Sequence, residues 1–67
     1  MADLTRLNTV IEESGVKLVA IADKLDISRQ ALYSKLKGET EFSVDQVGTL
    51  AKFLHLSMED VFEIFLS

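Results

Sequence analysis

The amino-acid sequence predicts an all-α fold of five short helices, and three observations support this prediction. Apolar residues recur at intervals of three and four along most of the 67-residue chain, which is helical spacing. Serines and glycines stand where helices would begin and end. No segment alternates apolar and polar residues as a strand would. With neither cysteine nor proline, the chain is expected to fold as one domain, residues 1–67, stabilised by helix packing.

The first two helices follow from their apolar stripes. The spacing predicts one helix over residues 3–14 and another over residues 17–25. Gly15 lies just beyond the first helix and can adopt the left-handed conformation that ends it. Asp26 and Ile27 then form a tight connection. The inward residues are Leu4, Leu7, Val10 and Ile11 in the first helix, and Leu18, Ile21, Ala22 and Leu25 in the second.

The third helix is expected over residues 29–37, with Ser28 as its N-terminal cap and Gly38 at its end. Because only a three- or four-residue turn separates it from the second helix, the two must cross at a steep angle. Ala22 allows close approach at the crossing. The outward residues of the third helix are then polar, planar or cationic: Arg29, Gln30, Tyr33, Ser34 and Lys37.

Two further capping signals predict the last helices. Ser43 and Gln46 have the spacing of a capping box before a helix over residues 44–55. Ser57 precedes a fifth helix over residues 58–65, which holds more apolar residues than one buried face requires. We expect some of them to cover the core and others to form a partner surface: Met58, Val61, Phe62, Ile64, Phe65 and Leu66.

The charge of the chain is unevenly distributed. Its formal net charge of −4 argues against nucleic-acid binding at first sight. Residues 17–37, however, carry five Lys and Arg against two acids, a net charge of +3. The remainder carries two basic residues against nine acids, a net charge of −7. The local electrostatic field, more than the net charge, decides where a phosphate can bind. The basic middle of the chain is therefore compatible with a nucleic-acid partner.

Other classes of protein are disfavoured by the sequence. His55 is the only histidine, no second ligand stands at metal spacing, and acids such as Glu59 and Asp60 lie at helix termini rather than facing a pocket. We therefore expect no enzyme activity, no cofactor and no metal. No apolar stretch approaches the roughly 18 residues of a membrane span, and no signal peptide is evident, so we expect a cytoplasmic protein.

The ordered set of these features resembles the helix-turn-helix of the phage Cro and repressor (XRE-like) family, especially small regulators of phages from Gram-positive bacteria. The resemblance lies in Ile27-Ser28-Arg29-Gln30-Ala31-Leu32 and Lys35-Leu36-Lys37-Gly38. The fourth and fifth helices of that family are similar to Glu41-Phe42-Ser43, residues 50–54 and Ile64-Phe65. The resemblance implies a lambda-repressor-like DNA-binding domain with the helix-turn-helix at about residues 17–37, and a Cro-like repressor of transcription.

The sequence departs from the family pattern at two positions. Asp26 stands where the turn usually carries glycine, although Asp tolerates a left-handed backbone better than most residues. Lys35 stands where many relatives have an aromatic or aliphatic residue. Leu36 must then supply the packing of the third helix.

The resemblance implies residue roles for binding double-stranded DNA. Arg29, Gln30 and Ser34 are the expected base readers in the major groove, and Tyr33, the next outward neighbour on that face, is expected to contact a thymine methyl group or a phosphate. The expected contacts to the DNA backbone are Lys17, Ser28, Lys35 and Lys37.

A homodimer is expected through the fifth helix. Candidate interface residues are Met58, Phe62, Phe65 and Leu66. A symmetric dimer of this kind would place two recognition helices about one DNA turn, ~34 Å, apart and predicts a palindromic operator.

An alternative function remains open from the sequence. The acidic overall composition and the apolar fifth helix are also typical of a protein-binding modulator that uses the same fold against another regulator. An antirepressor bound to a phage repressor, or an antitoxin, would fit this description.

Overall fold

The computed structural model describes residues 2–66 and contains five helices in this range. They are α1 (Leu4–Ser14), α2 (Leu18–Leu25), α3 (Arg29–Leu36), α4 (Val44–Phe53) and α5 (Met58–Val61). A π-helical turn, Phe62–Leu66, continues α5 directly. No strand occurs among the described residues. The predicted all-α class and all five helices are therefore confirmed.

One core joins all five helices. Each helix, counting the π-helical turn with α5, contributes one side chain that is essentially inaccessible to solvent. These are Leu7, Ile21, Leu32, Leu50 and Ile64. Ala22, which the sequence places at the crossing of α2 and α3, is also buried, and Ile27 in the turn packs against the core. The helix-turn-helix segment is thus anchored to α1, α4 and α5 through the same cluster.

The predicted N-terminal caps are present. The Ser28 hydroxyl accepts a 3.0 Å hydrogen bond from the Ala31 N–H at the start of α3. Ser43 and Gln46 form the predicted capping box of α4. Ser57 caps α5 in the same way, with Asp60 as its reciprocal partner. These bonds satisfy N–H groups that the first turn of a helix leaves without partners.

Gly15 follows α1 with a left-handed φ of 75°, and three further helices also end on a residue with a left-handed backbone. Asp26, Gly38 and His55 follow α2, α3 and α4, with φ values of 58°, 87° and 56°. The next residue in each case donates back to a carbonyl five positions earlier, as Ile27 does to Ala22 over 3.0 Å. This is the Schellman ending. It explains why α4 stops at Phe53, two residues before the predicted end, because His55 already has positive φ.

The fifth helix departs from the prediction in its last turn. The sequence predicts a regular helix to residue 65, whereas the chain widens into a π-helical turn that reaches Leu66. The widened turn keeps Ile64 buried, and its carbonyl accepts a hydrogen bond from the Asp3 N–H. Arg6 of α1 adds ion pairs to Asp60 at 3.4 Å and to Glu63 at 2.9 Å. Residues at the start of α1 therefore hold the last helix in place.

Candidate nucleic-acid interface

The third helix, α3, has two chemically distinct faces. Leu32 and Leu36 are buried and bind it to the core. Arg29, Gln30, Tyr33 and Lys37 are exposed on the other side, and Ser34 is half-buried at the edge of that face. The outward set expected from the sequence is therefore brought together on one accessible surface.

The N-terminal end of α3 is available to a ligand. Arg29 and Gln30 are its first two residues, directly after the Ser28 cap. The Ser28 oxygen accepts from the Ala31 N–H, which leaves the hydroxyl hydrogen able to donate. Backbone N–H groups of the first helical turn point outward at the same place, where the helix dipole favours an anion.

The cations of the basic segment differ in their surroundings. Lys17, at the N-cap of α2, and Lys37, after α3, are exposed and make no side-chain hydrogen bond or ion pair within residues 2–66. Lys24 lies over the ring of Phe53, with its Nζ 5.7 Å from the ring centroid. Lys35 is half-buried, and its ammonium donates a 2.9 Å hydrogen bond to the Glu41 carbonyl. This partner gives Lys35 a structural contact that the sequence pattern did not reveal.

Acidic residues border the basic surface. Asp23 and Asp26 are exposed on α2 and the following turn. Glu39 and Glu41 are exposed in the loop directly after α3. Among the cations of the basic segment, those without a partner within residues 2–66 therefore lie at the start of α2 and on the outer face of α3.

Val19 and Val44 are exposed apolar residues that the sequence analysis missed, and Val44, the first residue of α4, is 88% exposed. Val19, in the first turn of α2, has a side chain 52% exposed. Its position outside the stripe of Leu18, Ile21 and Ala22 was the available signal. No capping or packing pattern assigns it a role.

The fifth helix presents a separate apolar surface. Met58, Phe62 and Leu66 are exposed by 88%, 57% and 68%, and recur every fourth residue. We call these three residues the terminal apolar stripe. Phe65, the fourth candidate for a dimer interface, is half-buried and packs edge-on against Phe42, with ring centroids 5.9 Å apart. The structure thus separates Phe65 from the other three.

Residues 2–66 contain no group of three side chains suited to hold a metal ion. Within the same range no helix combines the length and the apolar character needed to cross a bilayer.

A family model matches most of the chain. The helix-turn-helix family is matched over residues 7–61, which extends from α1 through α5. The chain belongs to the XRE-like helix-turn-helix family. This family consists of DNA-binding regulatory domains, and the chain is therefore a DNA-binding helix-turn-helix regulator. The lambda-repressor-like fold expected from the sequence is likewise confirmed.

The other two comparisons found no similar protein. No curated protein and no solved structure matches the helix-turn-helix domain. Its phage origin and a Gram-positive host remain predictions from the resemblance.

Proposed function

We propose that this helix-turn-helix domain is a sequence-specific transcriptional repressor of the Cro type, with α3 in the major groove of a palindromic operator. The observation that carries the proposal is the accessible outer face of α3, on which Arg29, Gln30 and Tyr33 lie together. The helix is capped at its start and anchored from behind, so these side chains project from a rigid support. The major groove of B-DNA is wide enough to admit such a helix.

Base reading falls to the first turns of α3. Arg29 can fork to the O6 and N7 atoms of guanine, and Gln30 can bond N6 and N7 of adenine. Each such pair discriminates against a wrong base by roughly 1–3 kcal/mol. Tyr33 and Ser34 follow one turn later and would contact a thymine methyl group or a neighbouring base edge.

Backbone contacts would hold the helix in register. Lys17 and Lys37 project from the start of α2 and the end of α3, and both are exposed. The Ser28 hydroxyl can donate to a further phosphate oxygen. These contacts carry no sequence information, but they make the affinity depend on salt.

A homodimer would double the recognition surface. The terminal apolar stripe is exposed on the last helix, and pairing it with a second copy would remove three large side chains from water. Such a pairing would present two α3 helices about 34 Å apart to successive major grooves.

The proposal is tested by selecting bound duplexes from a DNA pool randomised over about two helical turns. Fluorescence anisotropy then compares the selected duplex with its scrambled version for the native chain, Arg29→Ala and Gln30→Ala. We expect each variant to lose roughly 5- to 150-fold of the preference for the selected sequence, the equivalent of 1–3 kcal/mol.

Lys52→Ala is the matched control, because Lys52 is an exposed cation of α4 outside the basic segment. This variant should keep the full preference. Equal binding of the selected and scrambled duplexes by the native chain, or no binding at low salt, would contradict the proposal.

A second candidate function is a modulator that binds another regulator. The observation in its favour is the terminal apolar stripe on a helix that also carries Glu59, Asp60 and Glu63. Such a surface suits a basic partner with an apolar patch. Size-exclusion chromatography with the regulator encoded beside this chain decides between the two. Co-elution with feeble DNA binding would favour the modulator, and separate elution would count against it.

A further inference from the structure

Lys35 differs from the other cations of the recognition helix in the direction of its side chain. Two positions apart on a helix correspond to about 200° of rotation, so Lys35 and Lys37 project from nearly opposite sides of α3. Lys37 is exposed on the side of Arg29 and Tyr33, whereas Lys35 is half-buried. A lysine on that side does not share the face that enters the groove.

The ammonium of Lys35 is engaged with the loop that follows α3. Its Nζ donates to the Glu41 carbonyl at 2.9 Å and lies 5.9 Å from the centroid of the Phe42 ring. A cation over an aromatic face at this distance is attracted by the ring quadrupole. Lys35 therefore binds two consecutive residues of the loop at once.

Phe42 extends this contact to the end of the chain. Its ring meets that of Phe65 at an interplanar angle of 85°, an edge-to-face arrangement. Phe65 lies in the π-helical turn after α5. The three side chains form a continuous bridge from the recognition helix, through the loop, to the last helix.

We propose that Lys35 is a positioning residue for DNA recognition and does not contact phosphate. It fastens the loop of residues 39–42 against α3 and, through Phe42 and Phe65, sets the orientation of α3 relative to the last helix. This inference rests on the proposed function, because it concerns how the recognition helix is held.

The composition of the loop explains why fastening matters for binding DNA. Glu39 and Glu41 are exposed carboxylates next to the end of the recognition helix. A loose loop would let both approach the DNA phosphates, and like charges repel. The bond from Lys35 to the Glu41 carbonyl holds the middle of the loop, between the Glu39 N–H bond to Ser34 and the capping box of α4.

The test compares Lys35→Met with Lys37→Met. Both variants remove one lysine from the same helix region and change the net charge equally, and methionine retains the aliphatic stem. The logarithm of the DNA association constant falls linearly with the logarithm of the salt concentration. The loss of one phosphate contact makes this negative slope shallower by about 0.9. We expect this shallower slope for Lys37→Met and an unchanged slope for Lys35→Met. For Lys35→Met we also expect faster amide hydrogen exchange at residues 39–42 and a several-fold loss of preference for the selected duplex over the scrambled one.

Three results would overturn the inference. A salt dependence that is shallower by about 0.9 in Lys35→Met would show that Lys35 contacts a phosphate. Unchanged exchange in the loop would show that Lys35 does not fasten it. Faster exchange with an unchanged preference would reduce Lys35 to a purely structural role. Failure of the native chain to prefer its selected duplex would instead contradict the proposed function. Amide exchange in the loop is measured without DNA, so it tests the role of Lys35 independently of the proposed function.

Discussion

The helix-turn-helix segment and the last helix of this domain pack on the same core but present surfaces of opposite charge. Residues 17–37 have a net charge of +3 and expose mainly polar and cationic side chains along α3. Residues 58–66 carry three acids and no basic residue, a net charge of −3, and expose the terminal apolar stripe. Leu32 and Ile64 nevertheless lie in one buried cluster. Total charge is therefore a poor guide to the partner of a small domain, since each surface acts locally.

The largest expected effect tests whether the two regions share one core. Ile64→Ala should lower the free energy of unfolding by about 2–5 kcal/mol, because it empties a site with no solvent access in the last helix. DNA binding should then be lost at temperatures where the variant is unfolded. Urea denaturation followed by circular dichroism measures the change. Met58→Ala, on the exposed side of the same helix, should stay within about 0.5 kcal/mol of the native chain.

The second prediction tests whether the terminal apolar stripe, and not an exposed apolar residue of the helix-turn-helix segment, forms the dimer interface. Phe62→Ser should weaken self-association by about 2 kcal/mol, the effect of losing a central aromatic anchor, while the monomer remains folded. Sedimentation equilibrium measures the association. Val19→Ser is the matched control, since Val19 is exposed to a similar degree on α2 and should leave association unchanged. Equal self-association of the native chain, Phe62→Ser and Val19→Ser would show that the terminal apolar stripe is not the dimer interface.

The third prediction concerns the left-handed residues at the helix ends. Asp26→Gly and His55→Gly should each stabilise the domain by up to about 1 kcal/mol, because relief of a positive φ outweighs the added entropy of the unfolded chain. Thermal unfolding measures both. Only Asp26→Gly should also tighten DNA binding, since it removes an acid from the basic segment, whereas His55 lies outside it. Tighter binding in both variants would indicate a general effect of stability.

The smallest effect is a dependence on pH within the acidic region. Hydrogen bonds from the Ser57 backbone N–H and hydroxyl, and then the Arg6 guanidinium, lower the pKa of Asp60 below its ordinary value of 3.8. A lowered folded pKa stabilises the native state above the unfolded value, and this contribution disappears as the pH falls through the lower folded value. Thermal unfolding of Asp60→Asn between pH 5 and pH 2, taken as a rough acid range, should show a weaker pH dependence than the native chain. An identical dependence would mean that other carboxylates control acid unfolding.

The sequence predicted those parts of the fold that depend on local chemistry. Ser28, Ser43 and Ser57 cap helices as their spacing indicates, because an N-cap bond spans only three residues. The end of α4 was misplaced by two residues, because nothing in the type of His55 signals a left-handed backbone. The π-helical turn after α5 was likewise not predicted, since its bonds and its contact with Asp3 depend on tertiary packing.

The candidate site was predicted in outline and missed in detail. Helical periodicity was sufficient to place Arg29, Gln30 and Tyr33 outward, because Leu32 and Leu36 define the opposite side of α3. Periodicity could not show that Lys35 binds the carbonyl of Glu41, a partner in the loop that follows α3. Nor could it separate Phe65, which packs on Phe42, from its exposed neighbours. Contacts between side chains of different elements were thus the information that the sequence lacked.

The way in which α3 is anchored has a consequence for reprogramming the domain. Only Leu32 and Leu36 are buried among its eight residues. The four outward positions 29, 30, 33 and 34 can therefore be varied together while the hydrophobic attachment stays intact. A library at these positions should yield folded proteins with new sequence preferences, which makes this domain a small, cysteine-free carrier for engineered operator specificity.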